Sequence, residues 1–239
     1  MKENKVAQFR HGIVKGLPVC LGYIPVSFTF GIMAVSNGIP VWLAIFISLS
    51  NLTSAGQFAG TNLIVAGAGY FEIALTTFVI NIRYMLMSLA LSQKLKPSVR
   101  TRERLLMGYG ITDEIFAIAI TETEELSPAY MYGLILTPVL GWTGGTALGA
   151  LVNGVLPASV SSAMGIALYA MFIAIIVPAA KKSWAVLGAI LIAAALMCGM
   201  RFFTVFSCIS EGFRIILATL ISAGAMALLC PVEDGGETA

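Results

Sequence analysis

The sequence predicts an all-α, polytopic membrane protein of about seven hydrophobic segments, one or two of them broken or re-entrant. Three observations lead there. Hydrophobic residues make up 58% of the chain and charged residues 11%, where ordinary soluble domains carry roughly 25% charged residues. Mean hydropathy is +0.92, and apolar runs of about 20 residues, each long enough to cross a bilayer as a helix, recur along the chain. These continuous runs exclude a transmembrane β-barrel, which needs alternating strands of about 10 residues. Third, eleven of the fourteen Lys and Arg residues fall in three short places: Lys2, Lys5, Arg10 and Lys15; Lys94, Lys96, Arg100, Arg102 and Arg104; Lys181 and Lys182. Short basic loops stay cytoplasmic, so this clustering sets topology and is no nucleic-acid surface.

Three regions follow: a cytoplasmic N-terminal arm, 1–15; a single transmembrane domain, 16–230; and a polar C-terminal tail, 231–239. The arm is too polar for a cleaved signal peptide, and Val6–Lys15 reads as a weakly amphipathic surface segment. Gly16–Val35 is the first span, with Pro18 and Pro25 predicting a kink or local unwinding. Ser36–Pro40 is a turn.

Val41–Ala66 is broken at its centre by Asn51-Leu52-Thr53-Ser54-Ala55-Gly56-Gln57, although no charge occurs from Gly16 to Phe71. A bilayer offers no water to the backbone, so a helix interrupted at depth must face protein or a wet cavity. In transporters, such half-helix ends meet substrate. The alternative is close helix packing through small residues. Phe71–Leu91 is a full span that carries Glu72, Asn81 and Arg83. With the arm and the Lys94–Arg104 loop both cytoplasmic, the crossings between them must be even in number. The segment Val41–Ala66 is therefore a re-entrant hairpin.

Ser98–Met107 reads as a basic surface helix or linker, and Gly108–Ile120 as a second broken element. Its Ile111-Thr112-Asp113 echoes Leu52-Thr53-Ser54. Thr121–Ser127 is an acidic loop. Ala129–Val152 is a span with a small-residue ridge at Gly141, Gly145 and Gly149. Asn153–Pro157 is a turn, and Ser159–Ala180, Trp184–Phe206 and Phe213–Cys230 are further spans. Leu17-Pro18 and Leu156-Pro157 each precede a span and then a Trp, and those two spans run in opposite directions, as an inverted repeat would.

Ionisable residues at membrane depth are costly and point to function or pairing. They are Arg83, Asp113, Glu114 and Arg201. Arg83 with an acid either fixes helix register or binds a zwitterion. In the second case a half-helix N-terminus suits a carboxylate. Asp113 or Glu114 receives the ammonium group or carries a coupled proton. The expected substrate-binding set is Pro25, Asn51, Ser54, Gly56, Gln57, Asn81, Arg83, Thr112, Asp113 and Glu114, with Phe28, Phe58, Phe78 and Met85 around an aliphatic side chain.

Cys20, Cys198, Cys208 and Cys230 include no Cys-x-x-Cys pair, and His11 is the one histidine. No metal site, cofactor loop or nucleophile–base set is visible, so neither a cofactor nor an enzyme activity is expected.

Several of these residues occur in a family's order: Gly16-Leu17-Pro18, Ala55-Gly56-Gln57-Phe58-Ala59, Asn81-Ile82-Arg83-Tyr84, and Thr112-Asp113-Glu114 before Phe116-Ala117. In these motifs the chain resembles the AzlC family of branched-chain amino acid permeases, from about Gly16 to Ala180. The resemblance implies export of L-valine, L-leucine or L-isoleucine, with methionine a further candidate, across a bacterial inner membrane. It also implies a small AzlD-type membrane subunit as partner. Where the family often carries Leu-Asp-Phe, this chain reads Ala167-Leu168-Tyr169-Ala170-Met171-Phe172, without the acid. An uncoupled facilitator for a small neutral solute and a non-transporting scaffold subunit are the competing readings.

Overall fold

The computed structural model describes residues 5–123, 125–153, 173, 176–203 and 209–230. Described residues are helical almost throughout. The helices are α1 Lys5–Ser36, α2 Val41–Ser50, α3 Ala55–Val65, α4 Tyr70–Lys94, α5 Thr101–Tyr109, α6 Asp113–Thr121, α7 Pro128–Val152, α8 Trp184–Phe202 and α9 Glu211–Leu229. Five of them (α1, α4, α7, α8 and α9) are long and apolar enough to cross a membrane. The expected turn at 153–157, most of the span 159–180, the 167–172 segment, the Leu156-Pro157 half of the repeat and the 231–239 tail lie outside the described residues.

The scaffold is a parallel pair, α1 with α7. Gly12 meets Gly133 and Leu134, Gly16 meets Thr137 and Pro138, Cys20 meets Gly141, and Ile24 meets Gly145. Each step advances four residues on both helices, so the pair runs in register over most of its length. Small residues at that spacing let the backbones touch.

The expected N-terminal surface segment is continuous with the first span. Residues 5–15 are the first turns of α1, which continues through Pro18 and Pro25 without a break. Hydroxyls of Ser27 and Thr29 donate to the Tyr23 and Pro25 carbonyls at 2.9 and 3.0 Å around the second proline. The apposed α7 supports the helix alongside. At 32 residues and about 1.5 Å per residue, α1 outruns a hydrocarbon core of about 30 Å, so its basic start stands outside it.

Val41–Ala66 is broken as expected, into α2 and α3. Gly56 packs on Asn81 and Gly60 on Thr77, so α3 runs antiparallel to α4. Its end therefore returns to the face where α4 begins. At the other end, Lys94 Nζ donates to the Ile120 carbonyl at 2.5 Å, and His11, Lys15 and Tyr130 gather on Glu122. The start of α1, the end of α4 and the start of α7 thus share one face, and α2–α3 enters from the opposite face and leaves by it. Maleimide labelling tests this in a background lacking the four native cysteines. Cysteines placed at Asn37 and Gly67 are expected to react from one side, and a cysteine at Pro97 from the other.

A second hairpin, α5–α6, enters from the basic face. This corrects the reading of 98–107 as a surface helix: Thr101–Tyr109 is the first arm of the hairpin. Each nine-residue arm spans about 14 Å, half a hydrocarbon core. The hairpin is held by its own apolar cluster, Leu91, Met107, Ile111, Ile115, Leu134 and Ile135 among others. A separate cluster of Phe30, Ala34, Ile39, Ala44 and Phe58 holds the outer hairpin. Finally, the Gly212 N–H donates to the Glu72 carboxylate at 2.9 Å. That seats the start of α9 at the outer end of α4, where the acid also suits the helix dipole.

Candidate functional site

The two hairpin tips meet midway between the faces. The Tyr109 hydroxyl donates to the Leu49 carbonyl, tip to tip. Around this junction lies a cavity of about 580 Å³, lined by α1, both tips, the middle of α4 and α7, and Ile176. Its polar end is Ser54, Arg83, Thr112, Asp113 and Glu114; its apolar walls include Val19, Val26, Leu52, Ala55 and Trp142.

Arg83 Nη2 lies 2.9 Å from Asp113 Oδ2. Both side chains are a little under half exposed, 45% and 43%, and what they are exposed to is the cavity. Arg83 also stacks 5.1 Å from the Tyr84 ring centroid, a cation–π distance. The Tyr84 hydroxyl sits 3.4 Å from the Thr53 carbonyl. Tyr23 donates to Glu114 and stands 2.7 Å from the Thr112 hydroxyl. Thr112 caps α6 through the Ile115 N–H.

The two half-helix starts differ. Asp113 and Glu114 occupy the first turn of α6 and offset its positive end, whereas the first turn of α3 has no acid. The start of α3 is therefore the electropositive wall beside Arg83.

One wall is fixed by a buried polar chain. Trp142 Nε1 donates to Gln57 Oε1 at 3.0 Å, Gln57 Nε2 donates to Ser48 Oγ at 2.6 Å, and Ser48 pairs with the Thr146 hydroxyl at 2.6 Å. Thr146 in turn donates to the Ser27 carbonyl at 3.2 Å. Every link is satisfied, which is what allows polar groups at this depth. The chain holds the indole edge-on to Tyr23, 5.2 Å between centroids.

Of the ten expected residues, the structure brings Ser54, Arg83, Thr112, Asp113 and Glu114 together in the cavity. The other five lie elsewhere. Pro25 is exposed on α1 and is not among the residues that line the cavity. Gly56 is the contact that lets α3 approach Asn81. Gln57 is the anchor of Trp142. Asn51, Gln57 and Asn81 line a separate cavity behind the tip. The four expected apolar residues are also displaced. Phe58 packs edge-on against Phe30, Phe28 meets Gly149 through its backbone and does not line the cavity, and Phe78 and Met85 belong to the second cavity. Hydrophobicity placed them in the membrane, but helix rotation decides which cavity a side chain meets.

Tyr23, Tyr84 and Trp142 were missed. Their signal was present: aromatic rings with a polar atom, far from the interfaces where Tyr and Trp concentrate.

The family model described as AzlC protein matches residues 18–156. An uncharacterized membrane protein of Archaeoglobus fulgidus is 34% identical over 74% of this chain and 78% of its own length. The inner membrane protein YgaZ of Escherichia coli is 28% identical over 74% of this chain and 75% of its own. The branched-chain amino acid transport protein AzlC of Bacillus subtilis is 21% identical over 61% and 58%. No solved structure matches. Three of the five long apolar helices (α1, α4 and α7) and the tips of both hairpins line one cavity, and the family match covers every residue of that cavity except Ile176: the chain is a multi-pass membrane protein of transport and belongs to the AzlC family.

Proposed function

We propose that this protein exports branched-chain or similar small apolar L-amino acids across the inner membrane, coupled to a proton or ion gradient, together with a small AzlD-type membrane subunit. One observation carries the reading: Arg83, Asp113 and the acid-free start of α3 open into the polar end of one cavity, whose other walls include Val19, Val26, Leu52 and Trp142. An aliphatic amino acid has that same division. Its carboxylate takes Arg83 and the α3 N-terminus, its ammonium takes Asp113 or Glu114, and its side chain lies against Val19, Val26, Leu52 and Trp142. Substrate thereby exchanges one internal ion pair for two, which limits the desolvation cost of binding a zwitterion at this depth. Protonation of Asp113 or Glu114 releases the ammonium and carries the coupled proton. The Bacillus subtilis relative, a branched-chain amino acid transport protein, supports the substrate class.

The test is uptake of labelled leucine into everted vesicles, with and without a pH gradient and with and without the small subunit. Gradient-dependent uptake is expected. Uptake that ignores the gradient supports an uncoupled facilitator, and no uptake even with the partner supports a scaffold.

A further inference from the structure

A second cavity, of about 700 Å³, lies beside the central one, and the cycle proposed above leaves it without a role. It is bounded by the two arms of the outer hairpin and the first half of α4. Leu43, Ile47, Ile64, Ile73 and Phe78 form its apolar walls. Polar groups sit among them on α3 and α4: Gln57, Thr61, Thr77 and Asn81. Three of these have unused capacity. Thr61 is 1% exposed, and its Oγ1 is buried without a hydrogen bond, as are Thr77 Oγ1 and Asn81 Oδ1. An unsatisfied buried polar group costs about 1–3 kcal/mol. A lipid tail in the cavity has nothing to offer such groups. A hydrogen-donating head with an aliphatic remainder satisfies both the polar groups and the walls.

The two cavities share a partition. Leu52, Ser54 and Ala55 face the central cavity, and Asn51 and Gln57 face the second. On α4, Arg83 and Tyr84 face the first, and Asn81 and Ile82 the second. The partition is thus the hairpin tip and one turn of helix. In it Ser54 has φ 43°, the one positive φ at a non-glycine among the described residues. Ile39, Ile64 and Tyr70 place the second cavity toward the face opposite Lys94.

We infer that this cavity is a second binding site for the same class of aliphatic amino acid, on the outer side of the hairpin tip. The inference rests on the transport reading of the central cavity. Substrate leaving the ion pair passes the tip and is held by Thr61, Thr77 and Asn81, which accept from its ammonium, before release. The side chain meets an apolar wall on both sides of the tip.

Equilibrium dialysis of radiolabelled L-leucine against the full chain in phosphatidylethanolamine–phosphatidylglycerol nanodiscs tests it. Two leucines per chain are expected. Thr61→Val with Thr77→Val keeps the volume and removes both acceptors; Ala74→Trp fills the cavity and leaves the polar groups intact. Each is expected to halve the bound leucine, and Arg83→Ala to halve it from the other site. One leucine, lost in Arg83→Ala and unaffected by Ala74→Trp, overturns the outer site and leaves the central reading standing. One leucine, lost in Ala74→Trp and unaffected by Arg83→Ala, supports the outer site and overturns the central one. Native mass spectrometry covers a lipid occupant: a phospholipid released by Ala74→Trp with leucine binding unchanged overturns the inference. No bound leucine overturns both sites.

Discussion

Arg83→Gln and Asp113→Asn are each expected to lower leucine transport about a hundredfold, and combining them is expected to recover stability without recovering transport. Each single change leaves a charge in the cavity without its partner 2.9 Å away. Because both side chains are close to half exposed to that cavity, the stability cost is small, about 1 kcal/mol, nearer a surface pair than a buried one. Transport loses more. Removing a charged hydrogen-bond partner from a bound ligand costs about 2–5 kcal/mol, and about 1.4 kcal/mol is a factor of ten. The double variant has no orphaned charge, so its thermal midpoint in detergent returns to the parent's, but it has neither anchor for a zwitterion. Near-parental transport by the double variant means the pair only fixes helix register, and the proposed role is then abandoned. Residual flux in Asp113→Asn that ignores the pH gradient separates loss of coupling from loss of binding.

Two adjacent glycines give the second large effect. Gly145→Ala is expected to destabilise the protein by about 1–3 kcal/mol, the range for overpacking, and Gly145→Leu to prevent its accumulation in the membrane. A Cβ at Gly145 lies 2.6 Å from the Ile24 carbonyl oxygen, a backbone atom that cannot rotate away. The next residue back is the control. A Cβ at Gly144 meets nothing within 4 Å, so Gly144→Ala is expected to be neutral or to stabilise by up to about 1 kcal/mol through helix propensity. Thermal midpoints by fluorescence-detected size exclusion compare the two directly. Equal effects would remove α1–α7 backbone contact as the organising feature of the fold.

The broken element at Asn51–Gly56 was legible because polar and small residues interrupt an uncharged apolar run, and the bilayer allows few explanations for that. Its re-entrant path was legible from charge alone, since two basic segments on one face force an even number of crossings. Arg83, Asp113, Thr112 and Glu114 were legible as site residues because an ion at membrane depth needs a partner, and the chain offers few. Gln57 and Asn81 looked equivalent to them as polar groups in lipid, yet one anchors Trp142 and the other faces a different cavity. Nothing in their spacing to Arg83 separates a residue that lines a cavity from one that supports its wall.

Composition and charge order thus determined that the chain is a helical membrane protein, which face the first hairpin enters from, and where Val41–Ala66 breaks; they did not show that Thr101–Tyr109 is a hairpin arm. These are one-dimensional properties, set by the cost of leaving backbone or charge unsatisfied in lipid. Tertiary structure decided which of the two cavities each side chain faces and that the two tips meet. Those depend on the rotation and register of helices about their axes, fixed here by the contact of glycine ridges between α1 and α7, and a change of 100° per residue is invisible to hydropathy.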